Sequence, residues 1–173
     1  PLPLAALTLA AIVLGVSLVS MHAATFTGAD SFDVRAILLT LTRVDDPVSL
    51  PFVIVAILIV GGWAERIMGG ARMLVAYTGG GVVTSTAGLI VGAWEADVFP
   101  AVPLGETPVT GASPVPALLV VAMAASCFAG ALWRRRVRGV CILLAVTMFL
   151  YSASASDLFA LLALPVGLGV GMF

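Results

Sequence analysis

Apolar residues in this chain come in six long runs separated by short polar stretches. A helix that crosses a bilayer needs roughly 20 apolar residues, with about 17 as a practical minimum. Residues 4–21 form the first run and carry no charge. The second run, 49–64, is short, and the third, 73–94, is rich in glycine and small residues. The fourth, fifth and sixth cover 114–133, 139–154 and 157–173. The pattern predicts an all-α polytopic membrane protein, a single domain of six transmembrane helices.

The polar stretches differ in kind. Residues 22–48 hold His22, Asp30, Asp33, Arg35, Arg43, Asp45 and Asp46, and within them Val34, Ile37, Leu38 and Leu41 recur at helical spacing. That spacing predicts a short amphipathic helix lying on the membrane surface in the first outer loop. Residues 95–112 read as an acidic, proline-dotted outer loop. Between runs two and three stands Gly61-Gly62-Trp63-Ala64-Glu65-Arg66-Ile67-Met68-Gly69-Gly70-Ala71-Arg72. Its glycine pairs predict a tight turn at the membrane surface. Glu65, between two arginines, predicts an ion pair with Arg66 or Arg72 that fixes two helices against each other.

Composition narrows the class. Of 173 residues, 61% are hydrophobic and 10% charged, whereas soluble domains run near a quarter charged. A net charge of −1 gives no sign of nucleic-acid binding. Cys127 and Cys141 both fall in apolar runs and read as buried, inert thiols, so neither a metal nor a cofactor is expected. No ionisable residue lies mid-run, which argues against pumps and ion-coupled transporters. The chain opens at Pro1 and ends in an apolar run, and it reads as a module of a longer protein.

Arginine placement sets a topology. The turns after runs two and four carry Arg66, Arg72, Arg134, Arg135, Arg136 and Arg138, six of the eight cations. The other side holds every acid except Glu65. Arginine-rich short loops stay inside, so both termini are expected in the cytoplasm of a cell with the chain in its plasma membrane. Trp63, Trp94 and Trp133 each mark a run end, as interfacial residues do. Arg134, Arg135, Arg136 and Arg138 could also hold anionic lipid head groups, worth about 1 kcal/mol per basic residue. Small residues spaced four apart, at Gly88 and Gly92, Gly167 and Gly171, and Ala122, Ser126 and Gly130, predict close helix contacts.

One hydroxyl invites chemistry. Ser113 lies in Thr110-Gly111-Ala112-Ser113-Pro114, at the start of run four. Serine followed by proline is also a favoured pair for starting a helix. Six spans, a surface helix in a long first loop, Gly-Gly-x-x-Glu-Arg-x-x-Gly-x-x-Arg after span two and Gly-x-Ser at span four together resemble the rhomboid intramembrane serine proteases. Gly167 and Gly171 in span six fit the same pattern. The resemblance covers nearly the whole chain and implies Ser113 as the nucleophile position and Glu65, Arg66, Gly69, Arg72, Gly111, Gly167 and Gly171 as scaffold.

The resemblance also exposes what is missing. Active members pair the serine with a span-six histidine and hold the oxyanion with span-two residues. Here those positions fall on Leu164, and on Ser49 and Val53. Pro114 replaces the glycine after the serine and has no N–H. A serine without a base is a poor nucleophile. His22, the only histidine, would need an unfamiliar geometry to replace that base.

Three functions remain open on sequence grounds. The first is a non-catalytic rhomboid-like membrane module that binds transmembrane segments or lipids. The second is the membrane, flippase-like portion of a larger lipid-modifying enzyme such as an aminoacyl-phosphatidylglycerol synthase. The third is a protease with an atypical Ser113/His22 pair.

Overall fold

The computed structural model describes residues 3–22, 41–44, 47–98, 113–152 and 155–172. Six helices and no strand occur among the described residues: α1 (Leu4–His22), α2 (Leu50–Met68), α3 (Gly70–Val98), α4 (Val115–Phe128), α5 (Ala131–Ser152) and α6 (Ala155–Val170). Each corresponds to one apolar run. The middle of α2, Ile57–Gly61, is wound as a π-helix, a local widening that helices use to reposition side chains.

Of these, α2 is both long and apolar enough to cross a membrane. The apolar parts of α1, α4 and α6 are shorter, at Leu4–Val19, Val115–Phe128 and Phe159–Val170. The 14 residues of α4 rise about 21 Å.

Helix α4 is the axis of the fold. Every residue from Ala117 to Ser126 is buried, as a helix apolar on all faces must be. It packs against α3, α5, α6 and the second half of α2. Two apolar clusters meet on it: one with α1, α2, α3 and the segment 41–44, the other with α5 and α6.

Glycine makes the closest of these contacts possible. A methyl group on Gly167 would lie 2.8 Å from the Val120 carbonyl oxygen, and one on Gly171 would lie 2.9 Å from Cα of Ala124. Along α3, methyls at Gly80 and Gly81 would strike Val120 and Leu41, and one at Gly88 would enter the Phe159 ring. Helix backbones therefore approach α4 from two sides at glycines, the expected use of small residues four apart.

Helix ends differ from the hydropathy reading for a physical reason. Span five was expected from residue 139, but α5 begins at Ala131 and takes Arg134–Arg138 into its first two turns. Arginine lowers hydropathy yet is a good helix former. Helix α4 ends at Phe128, before the expected 133, and α3 runs Gly70–Val98, beyond the expected 73–94. Val34, Ile37 and Leu38 of the expected surface helix, Gly111 and residues 99–112 of the outer loop lie outside the described residues.

Candidate functional site

Two helix corners and one helix start hold the residues singled out by sequence. The first corner joins α2 to α3. It turns on Gly69, whose φ of 87° suits a residue without a side chain. One turn earlier, Glu65 projects its carboxylate onto the first turn of α1. Oε2 accepts the Ala6 N–H at 2.9 Å and Oε1 accepts the Ala5 N–H at 3.2 Å. These amides belong to the four that every helix start leaves unpaired, and a carboxylate there also meets the positive end of the helix dipole.

This corrects the expected ion pair. Among the described residues no arginine pairs with Glu65; Arg66 is exposed, and Arg72 places its guanidinium 5.7 Å from the centroid of the Phe128 ring. Adjacent positions on a helix do not face each other, so Glu65 and Arg66 diverge. The flanking glycines explain themselves once α1 is in place. A methyl on Gly61 would sit 3.3 Å from the Ala6 side chain, one on Gly62 3.5 Å from Pro3, and one on Gly70 3.2 Å from Ala5. Gly61, Gly62 and Gly70 thus seat the start of α1, while Gly69 stands in open space and serves the positive φ.

The second corner joins α4 to α5 and gathers the arginines around the end of α4. Arg134 Nη2 donates to the carbonyls of Cys127 and Ala129, both at 3.3 Å. Arg138 Nε donates to Ser126 Oγ at 3.1 Å, and its Nη2 approaches Cys127 Sγ at 3.4 Å. Ser126, fully buried, donates its own O–H to the Met123 carbonyl at 2.6 Å. Cations on the last carbonyls of a helix complement the negative end of its dipole. Arg72, over Phe128, reaches the same helix end.

Ser113 lies at the opposite end of α4 from Phe128 and hence from the Gly61–Arg72 turn. Its Oγ accepts the Val115 N–H at 3.3 Å, a serine turn that satisfies an amide of the first helical turn. Pro114, buried, follows it. Leu164 is half-buried and packs into the α4–α5–α6 cluster, and Val53 is buried in the other cluster. Neither hydrocarbon can accept or donate a proton. The side chain of His22 lies outside the described residues.

Sequence reasoning passed over two further anchors. Ser17, fully buried in α1, accepts the Val44 N–H at 3.1 Å and donates to the Thr42 carbonyl. Tyr77 in α3 donates its hydroxyl to the Leu41 carbonyl. Together they tie the segment entering α2 to α1 and α3. Each is one hydroxyl among several in its apolar run, with Thr8 and Ser20 in the run of Ser17 and Thr78 and Thr84 in the run of Tyr77, and nothing local marks the one whose partner lies 25 to 36 positions away. No family model, curated protein or solved structure matches the chain.

Proposed function

We propose that the chain is a non-catalytic, rhomboid-like membrane module: six helices spanning the bilayer, both termini inside, that holds transmembrane or lipid partners without cutting them. The observation that carries the reading is the fate of Ser113, whose oxygen receives a backbone N–H of its own helix start while position 164 offers a leucine. A hydroxyl without a base stays protonated and weakly nucleophilic. Pro114 removes an amide that could otherwise steady an oxyanion.

Surface chemistry supports the bilayer. Phe52, Val55 and Ile59 on α2, Val75 and Val83 on α3, and Leu143 and Leu150 on α5 all stand more than half exposed. The interior, by contrast, is built largely from alanine, valine and glycine-backed contacts. In water this arrangement would leave a large apolar surface uncovered; in lipid it costs nothing. Close packing at small residues is how helices associate where hydrophobic burial gives no drive.

Two assays test the proposal. Single cysteines at positions 66 and 135, in a chain with Cys127 and Cys141 replaced by alanine, should react with an impermeant maleimide only in inverted vesicles. In proteoliposomes carrying a transmembrane substrate segment, wild type and Ser113→Ala should leave the substrate equally intact. Cleavage by wild type that Ser113→Ala abolishes would overturn the reading.

A further inference from the structure

The basic cluster at the second corner is two sites. On a helix, positions 134, 137, 138, 141 and 145 share one face, and positions 132, 135, 136 and 139 share another. The first face is engaged by the protein: Cys141 and Ala145 are buried, and Arg138 and the exposed Arg134 bond to the end of α4. The second face is turned outward. Leu132, Arg135, Arg136 and Gly139 are exposed, and neither Arg135 nor Arg136 has a protein partner among the described residues. Trp133, 59% exposed, stands beside them, with Leu132 at 69%. Nothing lies within 4 Å of where a methyl on Gly139 would project, so the approach past the arginines is open.

We propose that Arg135 and Arg136, with Trp133 and Leu132 beside them, form a docking surface for the head groups of anionic phospholipids, while Arg134 and Arg138 take no part. The inference rests on the membrane reading above. Two unpaired guanidiniums at the start of a helix with an apolar outer face match a phosphate at the acyl boundary. Guanidinium binds phosphate through paired N–H donors, and an exposed tryptophan with an adjoining leucine suits the interfacial layer. With two of the four arginines engaged at α4, the other two leave a positive surface that no acid neutralises among the described residues.

The test uses the full chain purified in zwitterionic detergent and titrated with phosphatidylglycerol or phosphatidylcholine, with bound lipid counted by native mass spectrometry. Wild type should retain phosphatidylglycerol in preference. Arg135→Gln/Arg136→Gln should lose that preference by roughly 30-fold, two basic residues' worth, with unchanged helicity and melting. Arg135→Lys/Arg136→Lys should keep most of it, which covers the case in which the glutamine variant fails to fold. Arg134→Gln should keep the preference and melt earlier. Equal retention of both lipids by wild type, or undiminished phosphatidylglycerol binding by a folded glutamine variant, would overturn the inference and leave the membrane reading standing. A chain that stays in solution without detergent would instead remove the membrane reading itself.

Discussion

The α2–α3 corner and the α4–α5 corner solve one problem with opposite charges. A helix end leaves backbone groups unpaired, amides at its start and carbonyls at its finish. At the first corner a carboxylate, Glu65, satisfies the amides of α1 from a different helix. At the second, the Arg134 guanidinium satisfies carbonyls at the end of α4 from the helix that follows it, and Arg138 bonds the Ser126 hydroxyl there. The corners differ in how much room surrounds the charge. Gly61, Gly62 and Gly70 are pressed against the start of α1, whereas Gly130 and Gly139 face open space. The closed corner consumes its carboxylate in holding the fold and leaves Arg66 exposed, whereas the open one keeps Arg135 and Arg136 in reserve. Charge density in sequence does not tell these apart; surroundings do.

Substitutions separate the two corners, in falling order of effect. Glu65→Ala removes two charge-assisted bonds and leaves the Ala5 and Ala6 amides without an acceptor, so unfolding in detergent should become easier by about 3 kcal/mol. Unfolding like wild type would break the comparison at its stronger end. Gly69→Ala should cost about 1.5 kcal/mol in the same measurement, because a β-carbon is strained at positive φ. At the second corner, Arg134→Gln/Arg138→Gln should cost about 1 kcal/mol, since Arg134 is exposed and its gain is screened by water. Gly139→Ala should have the opposite sign, a gain of roughly 0.5–1 kcal/mol, as a helical glycine with free space around it only loses entropy. A cost at Gly139 would mean that the outer face of α5 is not open.

Much of the fold was legible because hydropathy and helix length are local properties. The six apolar runs became six helices, and Gly167 and Gly171 met another backbone as their spacing implied. The start of α5 was missed because charge and helix propensity point in different directions at Arg134–Arg138. The partner of Glu65 was missed because it is a pair of backbone amides 59 and 60 positions away, and no side-chain pattern records those. Neighbouring arginines drew attention instead, although adjacency along a helix separates side chains. At Ser113, the serine–proline pair marked the helix start to within one position: Pro114 takes the N-cap, the helix begins at Val115, and Ser113 bonds the Val115 amide from just outside it.

Ser113 serves a helix start, and we propose that no base activates it. Incubating the detergent-purified chain with a fluorophosphonate probe, followed by mass spectrometry of the Ser113 peptide, tests this most directly. The account predicts no adduct at Ser113 under conditions that fully label an active serine protease. A stoichiometric adduct at Ser113 that disappears on His22→Ala would show a working nucleophile and contradict it.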